Sequence, residues 1–237
     1  MRKNASATAA WLVLAAVFVL GGCAAKRPAQ PKEVIQKISL IPVMPPASLY
    51  TKNDLFIPFA PALPVHLGSA AANRNKSAEF NQKMESTRLT LGSKLTSAIQ
   101  EELRSAGFEV TVLNNVERHK DDPEDIDYAK LPTRDAVLHV WFSDVSMYSS
   151  RMSSVYLPRM NVSTHLLPRP ESEDAVYSET LYYGADSRGD KYWSLPSDPK
   201  FSYPSFNDMI DRADDVAQGY DAGVQAIAKR LSRELRK

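Results

Sequence analysis

The sequence predicts an α/β fold, a two-layer sandwich in which a mixed five-stranded sheet carries two long helices on one face. Three observations lead there. A β-branched strand, a long helical stripe and a second strand follow one another directly, the order of a parallel crossover unit. Three more apolar runs with two-residue alternation then succeed each other as a meander. The chain closes on a second helical stripe, and two helices with one apolar face each can share one side of a sheet. Of the 237 residues, 33–237 are expected to form this body as a single domain.

The first 32 residues stand apart from it. Arg2 and Lys3 precede an apolar run from Ala9 to Leu20, and Gly21 and Gly22 supply small residues after it. That is the layout of a secretory signal peptide over residues 1–22. The rival reading is a membrane span, which needs about 20 apolar residues. This run is shorter and breaks into Gly-Gly-Cys. Cys23 is the only cysteine. Residues 23–32 carry Pro28, Pro31 and several charges, so they read as an extended linker and not as core. A buried thiol at Cys23 is therefore disfavoured. Fully stretched, the linker reaches on the order of 30 Å, which keeps the body close to whatever Cys23 is tied to.

Val34 to Val43 is the first strand, dense in β-branched residues and ended by Pro45 and Pro46. Residues 55–72 are apolar, yet Pro58, Pro61 and Pro64 recur every third residue. Proline at that spacing forbids a regular helix and favours an extended, PPII-like insertion. Either it packs over an edge of the core, or Phe56, Phe59 and their neighbours form an exposed patch for a partner, another copy or a bilayer. Asn75 to Ala106 is the first helix, with Phe80, Met84, Leu91, Leu95, Ala98, Ile99 and Leu103 on its stripe. Gly107 ends it, and Phe108 to Leu113 is the second strand, parallel to the first.

Glu117 to Lys130 is acidic and lacks apolar periodicity. Its carboxylates and His119 are possible metal ligands. However, no glycine supplies the sharp turn a calcium loop needs, so a solvated loop without metal is expected. Asp135 to Phe142 is the third strand. Val137, His139 and Trp141 point one way, while Ala136, Leu138, Val140 and Phe142 point the other. Both faces are apolar enough for a central strand. His139 reads as a satisfied core histidine ahead of a catalytic base, since no acid stands at a readable spacing from it.

Ser146 to Ser154 reads as a serine-rich turn, without the Gly-x-Ser-x-Gly setting that marks one kind of activated serine. The fourth strand, Val155 to Leu167, places Tyr156, Met160, Val162, Thr164 and Leu166 on one face. Arg159, Asn161, Ser163 and His165 take the other, which should be wet or meet a polar partner. Ala175 to Tyr183 is the fifth strand. Residues 184–204 form a long loop set with Tyr192, Trp193, Phe201 and Tyr203, either packed on itself or presented for recognition. The tripeptide Arg188-Gly189-Asp190 carries no weight at that length. Ser205 to Lys237 is the last helix, started by a capping box at Ser205 and Asp208. Its basic end, Lys229, Arg230, Arg233, Arg236 and Lys237, suits a helix C-terminus.

With 29 basic and 28 acidic residues the chain is nearly neutral, so no nucleic-acid footprint is expected. No grouping of nucleophile, base and orienting residue stands at a readable spacing. No enzyme activity and no cofactor is therefore expected.

Leu20-Gly21-Gly22-Cys23 resembles the lipobox of bacterial lipoproteins. The resemblance implies cleavage before Cys23, a diacylglycerol on its sulfur and further acyl chains, palmitate among them. No thiol would then remain for a disulfide, a metal or a nucleophile. Ala24 after the cysteine implies the outer membrane, with the body facing the periplasm. The order of elements over 33–237 also resembles the amino-terminal domain of TolB and the cores of LpoB-like and CsgG-like envelope lipoproteins. These resemblances imply a lipid-anchored accessory or assembly subunit that binds an envelope protein partner. The alternative is a homo-oligomeric structural or secretion-channel-like lipoprotein. Phe56, Phe59, Arg159, Asn161, His165, Tyr192 and Trp193 are the candidate partner-binding residues.

Overall fold

A computed structural model describes residues 35–53, 65–150, 153–189, 191 and 193–237. Side chains of residues 65–73 are not among those described. Cys23, Phe56, Phe59 and Tyr192 lie outside the described residues, as do the signal segment and the linker. Residues 35–237 form one compact unit.

The fold is a mixed α/β sandwich. Its strands are β1 (Lys37–Leu40), β2 (Tyr50–Asn53), β3 (Glu109–Val112), β4 (Ala136–Ser149), β5 (Leu157–Leu167), β6 (Tyr177–Gly184) and β7 (Ser194–Leu195). Its helices are α1 (Val65–Lys83), α2 (Glu85–Ser105), α3 (Phe206–Asp211) and α4 (Ala213–Leu235). The strand order is β3-β1-β4-β5-β6-β7, with β2 also on β4. β1 and β3 are parallel neighbours, Lys37 opposite Glu109, as the crossover order requires. The β4-β5-β6 meander is antiparallel. No described helix is long and apolar enough to cross a membrane.

Among the described residues the sheet has seven strands where five were expected. β2 and β7, four and two residues long, are too short to show a periodicity of their own. They exist because longer neighbours offer unpaired backbone. β4 runs for fourteen residues, and β1 pairs only with its start while β2 pairs with its end. The outer edge of β2 is closed by α1. Ser77 Oγ accepts from Thr51 N–H at 3.3 Å and donates to Thr51 C=O at 2.9 Å, and Asn81 Oδ1 accepts from Leu49 N–H at 2.9 Å. A helix thus stands where another strand could have paired.

The expected helix over 75–106 is two helices, broken at Met84 (φ −97°, ψ 13°). The first begins at Val65, so the extended reading of residues 55–72 fails over its second half. The physical reason is local. Pro64 is the last proline of that segment, and a helix tolerates proline ahead of its first turn but not inside it. The last helix is likewise two, broken at Arg212 (φ −109°, ψ 39°). Ser205 caps its start, its Oγ accepting from Asp208 N–H at 3.1 Å. At the end of α2, Gly107 (φ 97°) adopts the left-handed conformation, with Phe108 N–H on Leu103 C=O and Gly107 N–H on Arg104 C=O. These two bonds are the Schellman closure.

The main core lies between sheet and helices. Leu91, Leu95, Ile99 and Leu103 of α2 and Val216, Tyr220, Val224, Ile227 and Leu231 of α4 meet Leu138, Val140, Met160, Val162 and Leu181. α4 passes close enough for Gly223 to be required, because a Cβ there would stand 2.8 Å from the Tyr183 ring. The opposite face carries a smaller core of Ile41, Leu113, Ile126, Leu131, Val137 and Leu167. The acidic stretch 117–130 is therefore not simply solvated. Ile126 and Tyr128 dock it onto the sheet, a role two isolated apolar residues do not announce by period.

The expected turn at 146–154 is also corrected. β4 continues through it to Ser149, and both Ser146 and Ser149 are buried. A bulge at Ser143, between the pairs Phe142–Val162 and Asp144–Asn161, shifts the alternation. Positions facing the main core are even-numbered before it, Ala136, Leu138 and Val140, and odd after it, Val145 and Met147. Read at constant parity, the strand stops short of Ser149.

Candidate functional site

The sheet face away from the helices places Trp141, Ser163 and Thr180 in one cross-strand row and His139, His165 and Ser178 in the next. Beyond the bulge come Asp144, Asn161 and Tyr182, then Ser146 and Arg159. An extra residue re-aims the strand that holds it, and here it turns Asp144 onto this face.

Arg159 is the centre. Its Nη2 donates to Asp186 Oδ1 at 2.8 Å, and its Nη1 stands 3.5 Å from Asp144 Oδ2. Asn161 Nδ2 donates to the other oxygen of Asp186 at 2.7 Å. Tyr50 O–H and Ser146 O–H donate to Asp144 at 3.0 Å each. The guanidinium lies over the Tyr148 ring, 3.9 Å from its centroid, a cation–π contact. Burial, and then the Asp144 charge, push the Tyr50 phenol above its ordinary value. Asp186 reaches this place through Gly184 (φ 82°), where any Cβ would collide with Pro158 C=O. Only glycine lets the chain reverse there.

Arg159 and Asn161 were expected on a wet surface. They lie instead in a half-closed network, the Arg159 side chain 11% exposed and Asn161 8%. The correction is electrostatic, since two carboxylates hold the guanidinium down along the sheet. Arg159 Nε and Asn161 Oδ1 are buried without a hydrogen-bond partner among the described residues. These two residues therefore position the face more than they display themselves.

His165 is half-exposed, as expected of a surface residue. Trp141 stands between His139 and His165, with ring centroids at 4.8 and 5.0 Å. Burial first, then the His139 charge, hold the His165 imidazole below its ordinary value. Ser163 and Thr180 hydroxyls are 2.9 Å apart. Trp193 meets Tyr182 edge to face at 5.0 Å, which extends the aromatic rim to the sheet edge.

His139 does have an acid. Its Nε2 lies 3.1 Å from Glu124 Oε2 and its Nδ1 lies 2.8 Å from the Tyr128 hydroxyl. The partners come from the loop, eleven and fifteen residues away, so no fixed spacing reveals them. Glu124 also meets Arg118 at 3.4 Å, and Arg118 bonds Pro42 C=O. With both ring nitrogens engaged and 2% exposure, His139 acts as a peg for the loop. Burial, then the charges of Glu124 and Asp125, raise the Tyr128 phenol above its ordinary value.

The structure thus brings Arg159, Asn161 and His165 onto one face with Trp193 at its rim. Asp144, Asp186, Tyr148, Trp141 and Tyr182 complete it and were missed. One signal could have found Asp144, the switch from even to odd apolar positions across Ser143.

No family model and no curated protein matches the sequence. Among solved structures, the chain is similar to a DUF330-family protein of Xanthomonas campestris, with 9% identity, 86% of each chain covered and a TM-score of 0.42. It is similar to lipoprotein GNA1162 of Neisseria meningitidis, with 14% identity, 65% of this chain and 87% of that one covered, and a TM-score of 0.30. A third similarity is to a Helicobacter pylori protein described as a homolog of neuraminyllactose-binding hemagglutinin, with 12% identity, 87% and 88% covered, and a TM-score of 0.33. At these identities and scores the functional reading rests on this chain's own residues.

Proposed function

We propose that this chain is a lipid-anchored lipoprotein of the cell envelope, held through Cys23, that acts as a non-catalytic accessory or assembly subunit. The body faces the periplasm from the outer membrane, and its open sheet face holds a protein partner. The anchor half of this reading is motivated by the lipobox-like Leu20-Gly21-Gly22-Cys23 and the short linker behind it. One observation carries the partner half. The helices cover one face of the sheet, and the loop 117–131 covers only part of the other. Trp141, Ser163, His165, Thr180 and Tyr182 are left half-exposed in adjoining rows. Aromatic side chains such as Trp141 and Tyr182, held on a rigid strand platform, are what partner surfaces use.

The test is photo-crosslinking in cells, with a photoreactive residue at Thr180, Tyr182 or Trp193 and a control at Leu89, which is 54% exposed on α2. Capture of one protein from the three face positions and not from Leu89 is the expected result. No capture, or equal capture from Leu89, removes the support for the partner half.

A further inference from the structure

We propose that the corner of the body where the chain enters β1 is a cationic surface that lies against anionic lipid headgroups. The proposal rests on the anchor reading above and adds an orientation to it. Chain direction places the corner. β1 begins at Lys37, beside Glu109 at the start of β3. Glu109 N–H donates to Gln36 C=O at 2.8 Å, so Ile35 and Gln36 lie at the same end. The tight turn at Gly107 joins α2 directly to β3 and brings the α2 C-terminus there too.

α4 runs parallel to α2. Lys94 meets Asp221 at 2.7 Å near the middle of both helices, and Ser232 O–H donates to Glu102 C=O at 2.9 Å near both C-termini. The C-terminal turns of both long helices therefore close on the start of β1. That end carries Lys37, Arg104, Lys229, Arg230, Arg233, Arg236 and Lys237. Lys37 pairs with Glu109 at 3.2 Å and Lys237 with Glu234 at 2.7 Å. The other five make no ion pair within 4 Å among the described residues, and Arg104, Lys229, Arg233 and Arg236 are exposed. Among the acids at this end, Glu171, Glu173 and Asp174 stand on the β5–β6 turn, on the side of β4 away from β1. Glu101 and Glu102 lie on the last turns of α2, and Asp135 stands beside β1 at the start of β4, next to the exposed Arg134. With Glu109 and Glu234 these are five acids against eight bases among the described residues, so the β3-β1 corner keeps a net positive charge.

Only the residues between Cys23 and Ile35 separate this corner from the acylated residue. At ~3.3 Å each they span at most on the order of 40 Å. A basic patch held that close to an anionic bilayer is attracted to it, with a reach of about one Debye length. The same end also carries the negative poles of two helices, which the cations offset. One lipid attachment plus a basic surface is a recognised pair of anchoring signals.

The experiment uses the full acylated protein in vesicles of phosphatidylcholine alone and of phosphatidylcholine with phosphatidylglycerol. Hydrogen exchange is read over 104–109 and 229–237. The expected result is anchoring in both vesicles, with exchange at these segments slowed only in the anionic ones and restored by high salt. The double variant Arg233→Gln, Arg236→Gln should weaken that protection about tenfold or more. Anchored protein with equal exchange in both vesicles overturns the proposal and leaves the anchor intact. Protein that leaves phosphatidylcholine vesicles but sediments with anionic ones supports the corner and removes the anchor. Protein that stays with neither overturns both.

Discussion

At the scale of single residues, charge decides more than hydrophobicity on the open face. Arg159 of β5 stands between Asp144 of β4 and Asp186 after β6, two carboxylates that would otherwise repel each other. Removing one partner of a buried pair leaves the other uncompensated and costs several kcal/mol. Asp144 and Asp186 keep about a quarter of their exposure, so solvent screening lowers that figure. Arg159→Leu is expected to destabilise by about 2–3 kcal/mol in urea denaturation. Asp186→Asn should cost less, because Asn161 can still donate to the amide oxygen.

His165 sets a pH dependence of the same kind. Its folded imidazole loses protons more readily than an unfolded one, whose ordinary value is 6.5. The unfolded chain therefore binds the extra proton first as pH falls. Stability is full above that unfolded value and is lost as pH drops from it toward the lower folded one. Denaturation midpoints measured from about pH 8 to pH 5 should fall on the acid side. His165→Gln should flatten that fall relative to the parent protein. An unchanged slope would refute the assignment.

At the scale of elements, the structure shows how short strands are kept. β2 has no hydrophobic run and, among the described residues, a single strand partner, the parallel β4, yet α1 closes its free edge through Ser77 and Asn81. Ser77→Ala removes one group that serves both the N–H and the C=O of Thr51. The expected loss is about 1–3 kcal/mol, concentrated locally. Amide exchange at Thr51 should accelerate well before global stability changes, while exchange in β5 stays as it was.

Element-scale reading also marks where the sequence was legible. The stripes of α2 and α4, the Gly107 stop, the Ser205 cap and the two faces of β5 all follow from local period and local chemistry. They needed no knowledge of the rest of the chain. Breaks at Met84 and Arg212 did not show, because neither residue interrupts an apolar period. Nor did β2 and β7, whose pairing is borrowed from neighbours. The bulge at Ser143 hid half of β4 by reversing which parity is buried.

At the scale of the whole molecule, the working hypothesis turns on attachment at one end and an open sheet face elsewhere. In high salt, which also releases the basic corner, Cys23→Ala should move the full-length protein out of the membrane fraction, without changing the denaturation of the body, which begins at Ile35. Fractionation with membranes that persists in this variant would show that the sulfur does not hold the lipid. The corner beside β1 makes a further demand at this scale, since the orientation it implies leaves the sheet face lateral to the bilayer and open to a neighbour.

What the amino-acid order determined alone was everything written in nearest-neighbour terms: a signal-like segment, a single cysteine after two glycines, helices with one apolar side, strands with two distinct faces. What only tertiary structure decided was which distant groups would meet. Glu124 finds His139 because a loop with two apolar residues folds over the sheet. Asp186 finds Arg159 because Gly184 turns the chain back. The cationic helix ends gather beside β1 because α2 and α4 pack parallel. Charges act through space over several ångströms, and chain separation says nothing about that distance.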